Sequence, residues 1–284
     1  MLCYNAIREN QGWEDVLMNQ TRDEIIQRRL NKMTEWAKQR RSFLANPPNG
    51  WGEDRYIRIG GNGYTAVSLD WERPLLGFAS GPTSDIKTVI SYFERVTVKE
   101  LGRPTPEKRA QAWLIKQAIN DKLNLKTYLG LDGSIYEELL FALDEVSFGD
   151  KAHKPIRRLD ILAVGICDGS AFPVFIELKS RRDLGRLLVQ LQDYQRHMKR
   201  YEPEFAMLLN ACTDVKVDLS KYGRIIVWPK SQSGRVSDRV EVECGQQKVT
   251  IIESDTDNWI DIQDFSFHPY NQVYPPTPIS ENPK

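Results

Sequence analysis

The stretch Arg157 to Tyr194, RRLDILAVGICDGSAFPVFIELKSRRDLGRLLVQLQDY, decides how the rest of the chain is read. It divides into a strand, a four-residue turn, a second strand and a helix. Leu159 to Ile166 is an apolar run rich in Ile, Leu and Val, the composition of a strand, with the lone carboxylate Asp160 at its start. Cys167, Asp168, Gly169 and Ser170 then reverse the chain, because Asp and Gly tolerate the backbone angles of a tight turn. Phe172 to Lys179 is apolar until Glu177 and Lys179, which leave the same face of a strand while Leu178 enters the opposite layer. A hairpin closed near Asp168 lays the start of the first strand beside the end of the second, so Asp160 meets Glu177. Two adjacent carboxylates repel unless a proton or cation intervenes, and a hard divalent ion such as Mg²⁺ takes oxygen ligands while keeping several waters.

An Asp near a strand start, a hairpin, Glu-x-Lys on the next strand and an amphipathic helix together resemble the PD-(D/E)XK nuclease superfamily, the restriction-endonuclease-like fold. The helix strengthens the likeness: Gln190 and Tyr194, within QLQDY, are similar to the Q-x-x-x-Y motif of the RecB-type branch. The likeness covers about a third of the chain, from Leu131 to Trp228, and departs at Leu159, where the pattern has a Pro directly before the Asp.

The resemblance implies an α/β, restriction-endonuclease-like domain with a mixed central sheet flanked by helices. It also implies a Mg²⁺- or Mn²⁺-dependent nuclease that hydrolyses phosphodiester bonds, in DNA above all, in restriction, defence or repair. Asp160, Glu177 and the backbone carbonyl of Leu178 would ligate the ion, and Lys179 would position or help deprotonate the attacking water. Gln190 would hold a backbone phosphate or orient Lys179. A double-strand cut needs two such sites, so a homodimer is an expected assembly.

Two flanking helices are read around this centre. Ser134 to Val146 has a helical stripe of Ile135, Leu139, Ala142, Leu143 and Val146, with Ser134 and Glu137 placed as a capping box. Glu138 borders that stripe, and the resemblance makes it an additional metal or water ligand. After Lys179, the residues Leu184, Leu187, Leu188, Leu191 and Met198 form a buried stripe bordered by the i, i+4 pair Gln190 and Tyr194. Arg186 lies one turn before Gln190, so Arg186, Gln190 and Tyr194 form the expected nucleic-acid-facing row.

Composition bounds the alternatives. The 284 residues carry 39 basic and 39 acidic side chains, which argues against a generally basic nucleic-acid binder. The distribution is uneven: eleven Lys or Arg against five Asp or Glu from Lys151 to Arg200, but one against six from Ile251 to Lys284. The motif region is therefore the basic part, as a phosphate-binding surface requires. No segment reaches the apolar length of a membrane span and the N-terminus lacks an apolar signal region, so a cytoplasmic protein is expected. Cys3, Cys167, Cys212 and Cys244 make no CxxC or zinc spacing, and His153, His197 and His268 have no Ser or Cys partner at a recognisable spacing.

The remaining elements are read more coarsely. Residues 1–125 form an N-terminal α+β region: a helix over Glu14 to Leu44, a hairpin over Tyr56 to Leu69 around Gly60, Gly61, Asn62 and Gly63, a third strand at Leu75 to Ala79, then helices from Ser84, the clearest over Pro104 to Leu125. No helix follows the Gly-rich loop and no Lys sits in it, so it is a turn rather than a phosphate cradle. Residues 126–232 form the nuclease-like core, with further strands at Phe205 to Ala211 and Arg224 to Trp228. Residues 233–284 hold a hairpin over Val240 to Ile252 and an acidic, Pro-rich end, extended or disordered. Two rival functions stand beside the nuclease: an inactive nucleic-acid-binding module of the same fold, and an assembly or regulatory protein acting through its N-terminal half, in which Asp160, Glu177 and Lys179 form only a salt-bridged core.

Overall fold

The computed structural model describes residues 105–148, 157–182, 184–200, 202–230, 238–257, 259 and 264–279, with Glu24, Gln27, Asn31 and the pair Val67 and Ser68. The chain is α/β, built on a mixed sheet flanked by helices. In chain order the strands are β1 (Val67–Ser68), β2 (Glu138–Phe148), β3 (Arg157–Cys167), β4 (Ser170–Leu178), β5 (Lys221–Pro229), β6 (Thr250–Ser254), β7 (Phe267–Pro269) and β8 (Thr277–Pro278). The helices are α1 (Pro106–Asn120), α2 (Leu184–Arg200), α3 (Glu202–Thr213) and α4 (Asp238–Gln247). Strands β1 to β7 lie side by side in sequence order, and β8 pairs with β5. The meander β2, β3, β4 is antiparallel, β4, β5 and β6 run parallel, and β7 returns antiparallel to β6.

The hairpin of β3 and β4 forms as its sequence requires. Asp168 and Gly169 both take left-handed backbone angles, φ 49° and 66°, the pair a tight two-residue hairpin loop needs. The ladder then runs from Cys167 opposite Ser170 to Ile161 opposite Ile176. There it stops, which leaves Asp160 and Glu177 as the next facing pair, on one side of the sheet. Beyond that point β4 stays paired with β5 as far as Leu178 opposite Val227, so β3 and β4 part while β4 and β5 do not.

Both sheet faces are covered. One core packs α2 and α3, through Leu187, Leu191, Tyr194, Phe205 and Leu209, onto Phe175 and Ile226. The other packs α1, through Ala110, Trp113, Leu114 and Ala118, onto Ile161, Val174, Ile176 and Ile225. Tyr136 crosses the second face over two glycines, and a Cβ on Gly165 would lie 2.7 Å from its ring.

Three expectations are corrected. The helix over Ser134 to Val146 is instead strand β2. This strand is buried on both faces, Leu139 and Phe141 in one core and Ala142, Leu143 and Val146 in the other. A bulge between Phe141 and Leu143 also breaks the alternation, and together these mimic a helical stripe. The strand over Phe205 to Ala211 is helix α3, whose buried Phe205, Leu208, Leu209 and Cys212 keep helical spacing. The hairpin over Val240 to Ile252 is α4 followed by β6. Since β6 runs parallel to β5, the connection must cross over, and a helix makes that crossing. Of the two states expected for the Pro-rich end, residues 264–279 take the extended one, and they are packed: Phe265 and Phe267 stack on each other and meet Trp113 of α1.

Of the N-terminal region, Glu24, Gln27 and Asn31 are helical, within the helix expected over Glu14 to Leu44. Val67 and Ser68 form β1, which pairs in parallel with Val146 and Ser147 of β2. The rest of that helix, the Gly60 to Gly63 turn, the strand at Leu75 to Ala79 and residues 84–104 lie outside the described residues, and the helix expected over Pro104 to Leu125 is α1. Helix α1 falls within the region read as 1–125, and it shares a core with the sheet.

Candidate active site

The site forms where β3 and β4 part. Asp160 is 6% exposed and Glu177 0%, and burying two acids together is costly unless each is paired. Every carboxylate oxygen has a partner. Asp160 Oδ1 accepts from Lys108 Nζ at 3.0 Å, and its Oδ2 accepts from the Leu178 backbone N–H at 2.9 Å and from Lys179 Nζ at 3.2 Å. Glu177 Oε2 accepts from Lys179 Nζ at 2.8 Å, and its Oε1 accepts from the Tyr194 hydroxyl at 2.8 Å. The Leu178 N–H is free to turn toward Asp160 because β3 no longer pairs with β4 there.

Lys179 sits at the convergence point. Its ammonium donates to Asp160 Oδ2, Glu177 Oε2 and the Leu178 carbonyl, the last at 2.9 Å. These are the three oxygens that the sequence reading assigns to a metal ion. Its stem is held by its own backbone N–H, which donates to Val227 O at 2.9 Å. Helix α2 fixes Glu177 from the other side: Gln190 Nε2 donates to the Tyr194 hydroxyl oxygen, which passes its own proton toward Glu177. Gln190 also reaches Arg158 O at 3.4 Å, tying the helix to β3.

The charges shift one another. Burial, then the neighbouring Asp160 charge, pushes the Glu177 carboxyl up to about 8, against the pull of Lys179 and Tyr194. Burial also acts to raise Asp160, but Lys108, Lys179 and the Leu178 N–H outweigh it and hold that carboxyl below its ordinary range. Burial would lower Lys179, yet Asp160 and Glu177 keep its ammonium charged well above the usual lysine range. The two carboxyls are thus driven in opposite directions, Asp160 down and Glu177 up, as like charges in contact are.

The structure brings together Asp160, Glu177, the Leu178 carbonyl, Lys179, Gln190 and Tyr194. It does not bring Glu138, which lies exposed at the start of β2 opposite Ile166, six residues and about 20 Å along β3 from Asp160. Glu138 as a ligand is therefore corrected: the expected helix is a strand running away from the site. The expected nucleic-acid-facing row is corrected at Tyr194, which is fully buried with its hydroxyl on Glu177, whereas Arg186 is exposed on α2 and makes no hydrogen bond or ion pair among the described residues. Helix α1 supplies what the sequence reading missed. Gln111, fully buried, donates to the Asp160 carbonyl at 2.7 Å, and Lys108 adds the second cation. Glu107 accepts from the backbone and hydroxyl of Ser180 at 2.9 and 3.0 Å, pinning the residue after Lys179 to α1. A fully buried Gln in an otherwise apolar helix face was the signal available.

The donor set suits a hard cation. Among the described residues no group of three or more His, Cys, Asp or Glu side chains gathers at one point. Two carboxylates and a backbone carbonyl nevertheless converge, and they already hold a positive charge, the Lys179 ammonium. All-oxygen ligands of this kind fit Mg²⁺ or Mn²⁺. No family model matches the chain, and no curated protein or solved structure matches it. Among the described residues no helix is long and apolar enough to cross a membrane.

Proposed function

We propose that the protein is a metal-dependent nuclease of the restriction-endonuclease-like fold, hydrolysing phosphodiester bonds in DNA. The observation that carries this is the convergence of Asp160 Oδ2, Glu177 Oε2 and the Leu178 carbonyl within 3.2 Å of one cationic nitrogen. Those oxygens would hold Mg²⁺ or Mn²⁺. A bound divalent ion supplies charge stabilisation for the phosphoryl oxygens and lowers the pKa of a water. With an ion held there, Lys179 would give up these oxygen partners and, anchored through its backbone, would present its ammonium to the attacking water or the phosphate. Tyr194, oriented by Gln190, holds Glu177 Oε1 so that Oε2 keeps facing the centre. Asp160 stays ionised throughout. The basic run around the motif, with exposed Arg181, Arg186 and Arg196, gives the approaching phosphate backbone a favourable field.

A second reading rests on the same contacts. Every oxygen of the two acids is already paired, so the cluster also meets the needs of a salt-bridged core in a binding or assembly protein. Incubation with linear and circular DNA and RNA, with and without Mg²⁺, separates the two. The nuclease cleaves only with metal, and Glu177→Ala abolishes cleavage; no cleavage under any condition, with no metal binding, favours the salt-bridged core.

A further inference from the structure

The oxygens of the two acids divide between two positions. Asp160 Oδ2 and Glu177 Oε2 face the point held by Lys179, whereas Asp160 Oδ1 faces a second point held by Lys108 Nζ at 3.0 Å. Glu177 Oε1 faces neither ammonium: its partner is the Tyr194 hydroxyl of α2. A two-ion centre needs a carboxylate that gives one oxygen to each ion, with the ions about 3.5–4 Å apart. Among the described residues Asp160 is the acid that spans both points, and its second oxygen already carries an ammonium.

That ammonium is built in. Gln111 Oε1 accepts from Lys108 Nζ at 2.7 Å, and Gln111 is itself fixed through its amide to the Asp160 carbonyl. The Lys108 backbone N–H donates to the Thr105 hydroxyl at the start of α1, at 3.3 Å. The two lysines therefore differ. Lys179 occupies the three oxygens an ion needs and must yield them, whereas the oxygens around Lys108 belong to no such set. Its side chain is 26% exposed, so the charge is reachable from solvent.

We infer that Lys108 is a resident cation standing in the place of a second metal ion, so that the centre takes a single divalent ion and Lys108 supplies the other positive charge beside the reacting phosphate. This rests on the nuclease reading above. Lys108 is the partner of Asp160 Oδ1, while Lys179 and the Leu178 N–H hold Oδ2, so its test pairs metal affinity and turnover with a check on folding.

The test is a Mn²⁺ titration of the full chain read by electron paramagnetic resonance, alongside DNA cleavage kinetics. The wild type binds one Mn²⁺ per chain. Lys108→Gln removes a like charge a few ångströms from the ion, so Mn²⁺ binds about tenfold tighter or more, while kcat for DNA falls at least about tenfold. Tighter metal with slower chemistry is a pairing that a merely structural lysine does not produce. Lys108→Arg keeps the charge, the single ion and the wild-type Mn²⁺ affinity, and it restores kcat should the neutral variant be poorly folded by thermal melting. Two Mn²⁺ per wild-type chain, or unchanged or weaker Mn²⁺ binding in Lys108→Gln, overturns the inference. Failure of the wild type to bind Mn²⁺ at all, or binding that survives Glu177→Gln, sinks the nuclease reading and this inference with it.

Discussion

Glu177→Gln should make the metal-free protein more stable at pH 8, although it removes a charged member of the site. The Glu177 carboxyl has an ordinary value of 4.5 in the unfolded chain and is pushed up to about 8 when buried beside Asp160. Between those values the unfolded chain is ionised while the folded chain keeps its proton. Stability from this group is therefore full below pH 4.5 and drains away as pH rises toward 8. Asp160 is held low, so its contribution is lost only at acid pH below its ordinary value, and Lys179 is held high, so its contribution is constant below its own ordinary value. Across pH 5 to 8, Glu177 alone of the three changes. The interval corresponds to about 5 kcal/mol at pH 8. At roughly 2–4 °C per kcal/mol this is on the order of 10 °C in Tm. Gln keeps the shape, its oxygen facing the Lys179 ammonium and its amide donating to the Tyr194 hydroxyl oxygen. Thermal melts followed by circular dichroism at pH 5, 6.5 and 8, with EDTA throughout, should show wild type falling away from Glu177→Gln as pH rises, the two converging near pH 5. A variant less stable than wild type at pH 8 refutes the charge assignment.

Other outcomes follow from the same geometry. Because an ion must displace the Glu177 proton, Mn²⁺ affinity should weaken about tenfold for each pH unit below 8 and level off above it, and calorimetry in buffers of differing ionisation enthalpy should register about one proton released per ion near pH 6.5. Tyr194→Phe keeps the ring against Phe175 but unpairs Glu177 Oε1; denaturant titration should show a loss of about 1–3 kcal/mol, and metal binding should weaken in parallel. Gly165→Ala places a Cβ 2.7 Å from the Tyr136 ring and 2.9 Å from Val174, so urea titration should show about 1–3 kcal/mol of destabilisation with the metal dependence of any cleavage unchanged.

What was legible in the sequence was local. Asp168 and Gly169 fix the hairpin loop, the loop fixes the register, and the register places Asp160 opposite Glu177; every step spans fewer than twenty residues. The pairing of Gln190 with Tyr194 was legible for the same reason, being one helical turn. Strand β2 was not legible, because burial on both faces and a bulge erase the period of two on which such a reading depends. Helix α3 was mistaken for a strand because its apolar run, FAMLL, is compatible with either period, and α4 because VEVEC alternates as a strand does. Lys108 lies 52 residues from Asp160, and Glu107 lies 73 from Ser180. Contacts of that span depend on α1 packing against the far side of the sheet, which no short pattern encodes.

The central claim is that Lys179 and the two acids form a metal-dependent hydrolytic centre. The most direct measurement is cleavage of plasmid DNA by purified wild type and Lys179→Ala, each with Mg²⁺ and with EDTA, on proteins of matched thermal stability. A metal-dependent centre cleaves in the wild type with Mg²⁺ only and loses at least about a hundredfold in Lys179→Ala. Cleavage by Lys179→Ala at the wild-type rate contradicts it.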